Sequence, residues 1–305
     1  MDGYTASELM SIVAMQGFAG ISLFSVLLLM ALGLAIIFGQ MGVINMAHGE
    51  FMTIGAYTTF LMSTMAGEFG LVDYYFPVAI IVSFLIAFGA GYLTEWALIR
   101  HLYARPLDTL LATWGLSLML QQVFRTVFGA REVSPTMPDW LQGSWQPTDT
   151  IDIPINGLFV LGLTVLLTFA VLYYLYKSRS GVKMRATTQN RMMAGAVGIN
   201  TKKVDRFTFA LGCGIAGVAG AAFTTIASTG PTTGSLYIVD TFMVVVFGGA
   251  ASLFGTIASA FAIAEAQSIM EFFMSGSMAK VLTLLFVVGV LMIRPEGLFS
   301  VKVRK

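Results

Sequence analysis

Asn45, His48 and Glu50 fall within six residues of one another, in the stretch GVINMAHGEF from Gly42 to Phe51, between two apolar runs of a chain with only two histidines. Three readings are open to such a cluster: a metal site, an acid–base pair, or a polar turn. Asn45 fits the N-cap of a helix running from Met46 to about Met65, its side-chain oxygen accepting from the amide of Ala47 or His48. On that helix Glu50 stands two residues, roughly 200°, beyond His48, so a direct His–Glu pair on one face is not expected. Further ligands at metal-binding spacing are absent, which disfavours the metal. At membrane depth the helix start, with its free amides and partial positive charge, suits a carboxylate or a urea-type carbonyl oxygen. At the surface it is a plain turn with an asparagine cap.

The surrounding chain makes depth the question. It has 305 residues, 57% hydrophobic and 11% charged, with a mean hydropathy of +0.82. A soluble domain of that size needs far more polar surface, so an all-α polytopic membrane protein is expected. Barrel strands would show short alternating runs instead. The formal net charge of +1 gives no electrostatic case for nucleic acid, and one cysteine, Cys213, excludes an internal disulfide framework. Acids stand near the N-terminus where a signal peptide carries bases, so no cleaved leader is expected.

Apolar length places about nine spans, near Ile21 to Phe38, Phe51 to Met65, Phe76 to Ile99, Thr109 to Phe128, Leu158 to Tyr176, Phe207 to Ala227, Ile238 to Leu253, Thr256 to Met274 and Val281 to Ile293. All 305 residues read as one transmembrane domain. Bases concentrate in Arg100 to Asp108, in residues 177–206 and in the tail from Arg294, which includes Lys302, Arg304 and Lys305; these segments are expected in the cytoplasm. Residues 129–156, with Asp139, Asp149, Asp152, four prolines, Trp140 and Trp145, read as an outward, periplasmic loop. The N-terminus then lies outside and the C-terminus inside.

Two glycine-rich interruptions flank apolar helix, FGQMGVINMAHGE with Gly39 and Gly42, and FGGAASLFGT with Gly248, Gly249 and Gly255. Each is a surface turn or a re-entrant break, and their placement in the two halves is compatible with an internal repeat. Of the polar residues inside spans, Glu95 and Arg125 lie near span ends and are expected to snorkel. Gln121, Gln122, Gln267 and Glu271 also fall within spans, and mid-span Glu265 is a candidate for a buried pair or a translocation path. GCGIAG at Gly212 to Gly217 imitates a dinucleotide fingerprint, but without a preceding strand it reads as a small-residue packing face. There is no ATP-binding motif, metal motif or catalytic constellation, so neither an enzyme nor a resident cofactor is expected.

In residues 177–206, Thr187 or Thr188 is a possible helix cap, Met192, Met193, Ala196 and Val197 share one helical face, Gly198 supplies a stop, and Asn200 caps the helix entering the membrane. A short helix with one apolar face and basic flanks docks into a partner or lies on membrane lipid.

GLAIIFGQMGVINMAHGEFMTIGAY, TQNRMMAGAVGIN and FGGAASLFGT…IRPEGLF resemble the branched-chain amino acid permease family of ABC importers over nearly the whole chain. The methionine of GVINMAHGE and the run from Arg105 to Gln122 look most like the family's urea permease branch, although Ala251 stands where the family usually has glycine. The resemblance implies a bacterial inner-membrane permease working with a second related permease, two cytoplasmic ATPase subunits and a periplasmic substrate-binding protein. It implies a translocation path for urea or a short amide, lined first by Asn45 and His48 with Glu50 and Glu265 behind them. Branched-chain amino acids are the alternative cargo, and a passive urea channel the alternative class. The NRMMAGAVGIN segment matches the family's coupling helix, so the resemblance assigns ATPase coupling to Arg191, Met192, Ala194, Gly195, Gly198 and Asn200, with Met192, Ala194, Gly195 and Gly198 as the ATPase-facing core.

Overall fold

A computed structural model of the chain describes residues 6–103, 105–148, 151–249 and 252–299. Ala251, Asp149, Lys302, Arg304 and Lys305 therefore lie outside the described residues. Eleven α-helices are described: α1 (Ala6–Met41), α2 (His48–Phe69), α3 (Tyr75–Ala97), α4 (Pro106–Phe128), α5 (Ile155–Lys177), α6 (Arg179–Gln189), α7 (Arg191–Ala196), α8 (Thr201–Phe223), α9 (Thr233–Gly248), α10 (Leu253–Phe273) and α11 (Gly276–Ile293). The all-α polytopic reading stands. Six of these helices, α1, α3, α5, α8, α10 and α11, are long and apolar enough to cross a membrane. Helices α2 and α4 have the length, 22 and 23 residues, but carry more polar side chains, while α9 has only 16 residues.

The helices at the centre are α1 and α8, whose most apolar windows are 72% and 83% buried, against 17% for peripheral α11. α8 packs most extensively on α3 and also against α1 and α2. The small-residue run of α8 explains this. A Cβ on Gly55 of α2 would collide with the Gly217 carbonyl, and one on Gly220 would collide with the Met52 carbonyl. In lipid there is no hydrophobic drive between helices, so close backbone approach of this kind supplies the packing. GCGIAG is accordingly a packing face.

The segment 129–156 contains an unforeseen antiparallel hairpin, β1 (Ser144–Thr148) with β2 (Ile151–Pro154), in register with Ser144 opposite Pro154. Trp140 donates its indole N–H to the Asp73 carbonyl at 2.7 Å and packs on Phe76 and Phe159, which pins the loop to α3 and α5.

The second interruption is a turn between two helices. α9 ends at Gly248, and a Cβ there would meet the Gly255 backbone of α10. Gly249, at φ +96°, turns the chain out of α9. The last carbonyls of α9 are met from the C-terminal segment, Leu298 donating to Phe247 at 2.9 Å and Phe299 to Gly248 at 3.3 Å. Gly39 sits within α1, so the first interruption begins only at Gly42, where φ is +66°.

Gly55→Val is expected to cost on the order of 3 kcal/mol through overpacking against α8. Gly115→Ala, whose new methyl meets nothing within 4 Å, is expected to be neutral or to gain up to about 1 kcal/mol. Thermal unfolding of the two variants in detergent checks the contrast.

Candidate functional site

After Gly42 the chain turns back along α1. Asn45 Oδ1 accepts from the Ala47 amide at 3.1 Å, as the capping pattern anticipates, but α2 starts at His48, two residues later than expected. His48 Nε2 donates to the Met30 carbonyl at 3.1 Å, and a Cβ on Gly33 would lie 3.1 Å from the His48 ring. Met30 precedes the last residue of α1, Met41, by 11 positions, about 16 Å of helix. Residues 42–47 are enough, at about 20 Å of extended chain, to cover that return. The chain therefore returns alongside α1, and α2 begins level with the interior of that helix.

Asn45, His48 and Glu50 are all fully buried. As the spacing anticipates, His48 and Glu50 point different ways. His48 faces α1, whereas Glu50 faces α4, where Ser117 Oγ and Gln121 Nε2 each donate to Glu50 Oε1 at 2.9 Å. Gln121 also reaches Ser117 at 3.1 Å, and Thr113 Oγ1 accepts from the Met46 amide at 3.1 Å. Thr113, Ser117 and Gln121, four residues apart, thus form one polar stripe on α4 against the start of α2. Among the described residues Asn45 Nδ2 and Glu50 Oε2 have no hydrogen-bond partner, and neither does His48 Nδ1.

A second helix start joins the first. The backbones of Gly49 and Gly234, in the opening turns of α2 and α9, abut so closely that a Cβ on either would strike the other's carbonyl, and the Gly234 amide donates to Thr53 Oγ1 at 3.0 Å. Glu265 is not part of this group. It lies on α10 with its carboxylate against Gly20 of α1.

The segment matched to a coupling helix is the six-residue α7, capped by Asn190, whose Oδ1 accepts from Met193 N at 2.9 Å. Thr188 is not a cap; its hydroxyl donates to Gln40 at the end of α1. Gly198, at φ +87°, ends the turn, and Asn200 caps α8 through Lys203 N at 3.1 Å. Met192 is 85% exposed and Met193 62%, with Gly195 and Val197 also exposed, but Ala194 is only 4% exposed. Ala194 thus belongs to the inner side of α7, a correction to its place on the ATPase-facing side. Arg191 also turns inward, pairing with Asp205 at the start of α8 and lying 5.4 Å over the Tyr103 ring.

That pair continues into the bundle. Tyr103 donates to Glu95 Oε1 at 2.6 Å, and Arg206 Nε donates to Glu95 Oε2 at 2.8 Å. Glu95 is 1% exposed, so it does not snorkel; it is held between α8 and the segment after α3. Burial and the adjacent Glu95 carboxylate push the Tyr103 phenol well above its usual value, keeping it a proton donor.

Thr113, Ser117, Thr53 and Gly234 were not singled out in the sequence. For the α4 stripe the signal was there: hydroxyls four residues apart, in phase with Gln121.

Residues 17–293 match the family model described as branched-chain amino acid transport system / permease component. The chain is 27% identical over 295 residues to the high-affinity branched-chain amino acid transport system permease protein LivH of Escherichia coli (strain K12), covering 93% of this chain and 94% of that protein. It is 26% identical to the probable branched-chain amino acid transport permease protein LivH of Methanocaldococcus jannaschii, covering 92% and 90%, and 26% identical to the permease protein BraD of Pseudomonas aeruginosa, covering 92% and 94%. No solved structure matches the chain. The urea branch thus gains no support, and these relatives are named for branched-chain amino acids.

Tyr103→Phe removes one donor from the buried Glu95 carboxylate and is expected to cost about 1–3 kcal/mol. A lowered thermal unfolding midpoint, with the variant still inserted in the membrane, is the measurement.

Proposed function

The chain belongs to the family of permease components of branched-chain amino acid transport systems, and from that premise we propose that it forms part of the translocation path for branched-chain amino acids in an ATP-driven importer. It is a permease component and not an enzyme. The observation that carries the substrate reading is the match of more than nine-tenths of the chain to permeases named for those amino acids. It favours them over urea, the cargo suggested by the methionine of GVINMAHGE.

In this reading the path runs along the seam between the re-entrant start of α2 and the polar stripe of α4, with Asn45 and Glu50 on one wall and Thr113, Ser117 and Gln121 on the other. His48 braces the start of α2 against α1. Glu265, on a different helix contact, is left out of the path. The complex sits in the plasma membrane with a second permease, two cytoplasmic ATPases and an external binding protein. The ATPase side of α7 is Met192, Met193, Gly195 and Val197; Arg191 and Ala194 anchor the turn, while Gly198 and Asn200 shape its exit into α8.

Reconstituted in proteoliposomes, the complete complex is expected to accumulate labelled leucine only with ATP and binding protein, with urea uptake at background. Leucine flux through this chain alone without ATP would favour a passive channel, and ATP-driven urea uptake without leucine uptake would restore the urea reading. Met193→Glu is expected to lower substrate-stimulated ATP hydrolysis on the order of 10-fold with the complex assembled, because an exposed contact is lost. Ala194→Glu is expected to impair assembly itself, because a charge is placed in a buried position.

A further inference from the structure

We propose that Glu50 is the ammonium-binding group of a site for zwitterionic amino acids, built into the seam between α2 and α4. The inference rests on the amino-acid reading above and deepens it. Glu50 is fully buried, and one carboxylate oxygen, Oε1, is already satisfied by Ser117 and Gln121 at 2.9 Å each. The other, Oε2, has no partner among the described residues. Leaving an acceptor of this kind desolvated and unpaired is costly, so it belongs with a donor that arrives from outside.

The complementary half is at the same helix start. Asn45 is fully buried, its Oδ1 is engaged by the Ala47 amide, and its Nδ2, a donor, has no partner among the described residues. It stands at the N-terminal end of α2, the positive end of the helix dipole, with the opening turn of α9 packed alongside. A free carboxylate oxygen and a free amide donor at one helix start match in kind the ammonium and carboxylate that every α-amino acid carries on a single carbon. Urea has no cationic group to match Glu50. A metal ion fits poorly, because hard cations take about six or more oxygen ligands and Gln121 turns its amide nitrogen, not its oxygen, into the seam.

The seam is also the kind of contact that admits a ligand. Beside Glu50 the α4 stripe meets α2 through single hydrogen bonds from hydroxyl and amide groups, the ring contacts of Tyr57 with Phe124 and Phe128 lying further along, whereas the other face of α2 is locked by glycine backbones to α8. A ligand's ammonium replaces bonds of the same kind when α4 parts from α2.

The test divides leucine into its two halves. Equilibrium binding of 3-methylbutylammonium, which is leucine without its carboxylate, and 4-methylpentanoate, which is leucine without its ammonium, is measured by calorimetry on the complete permease–ATPase complex in nanodiscs, without binding protein. Wild type is expected to bind both. Glu50→Gln is expected to weaken 3-methylbutylammonium binding at least 30-fold and leave 4-methylpentanoate within 3-fold. Glu50→Asp, which keeps the charge on a shorter stem, is expected to weaken the ammonium compound by 3- to 10-fold only. No binding of 3-methylbutylammonium to wild type, or binding unchanged in Glu50→Gln, overturns the proposal. Loss of both compounds together in Glu50→Gln and in Glu50→Asp also overturns it, since Glu50 then only holds the fold. If wild type carries no leucine yet binds 3-methylbutylammonium through Glu50, the ammonium site stands and the amino-acid cargo falls. If leucine is carried and Glu50 is indifferent, this inference falls alone.

Discussion

Backbone meets backbone along one side of α2, at Gly55 with Gly217, at Met52 with Gly220 and at Gly49 with Gly234. Helices separated by ordinary side chains stand about 8–10 Å apart, and a single methyl at any of these contacts would force them open. Because the contacts hold α2 to α8 and α9 without side chains between them, α2 is fixed along its length and does not depend on its own N-terminus being at a surface. It can begin inside the bundle. The return of residues 42–47, the burial of Asn45, His48 and Glu50, and the approach of Glu50 to α4 all follow from that fixed position.

A helix that begins at depth brings free amides where no bulk water satisfies them. The chain answers most of this locally. Ala47 N is met by the Asn45 side chain, His48 N by the Asn45 carbonyl at 3.3 Å, and Met46 N by Thr113 of α4. The last of these makes α4 a participant in holding the break. The two sides of α2 are therefore joined to their neighbours differently: by close backbone packing toward α8, and toward α4 by a few hydrogen bonds at the start of α2 and by Tyr57 against Phe124 and Phe128 further along. Dispersion packing at glycine contacts has no partial state, whereas hydrogen bonds exchange with those of a polar ligand at little net cost.

Much of this was legible in the chain. Apolar length located the helices, the bond from the Ala47 amide to Asn45 was anticipated although Ala47 and not Asn45 is the N-cap of α2, helical spacing separated His48 from Glu50, and small-residue runs marked the packing face of α8. The return along α1 was not legible, because GVINMAHGEF reads the same as a surface turn or a re-entrant break; only the contact of His48 with Met30, distant in sequence, shows it. Thr113 and Ser117 passed as ordinary residues of a helix whose outer face is apolar, and their meaning comes from Glu50 opposite. Ala194 was misplaced because six residues are too few for periodicity to fix which side of a helix faces inward. Methionine in the motif pointed toward urea, and one residue type weighs little against similarity over more than nine-tenths of the chain.

On the proposed reading, the two kinds of contact also decide what an ATPase can move. A push on α7 is carried by Arg191 to Asp205 in the first turn of α8, and Arg206 beside it is tied to Glu95 at the end of α3. α8 and α3 are the most extensively packed pair, and α8 is in backbone contact with α2. Displacing α7 therefore displaces α3, α8 and α2 as one body, since nothing between them yields without breaking a buried ion pair or separating glycine backbones. α4 stands outside that glycine-packed group and touches it through Thr113, Ser117 and Gln121, and further along through Phe124 and Phe128, whose rings lie on Tyr57 of α2. The seam is the place where relative motion costs least, and it is also where Asn45 and Glu50 keep their unpartnered atoms. A force applied at the ATPase face thus opens the contact that holds the cargo, with no separate relay between the two.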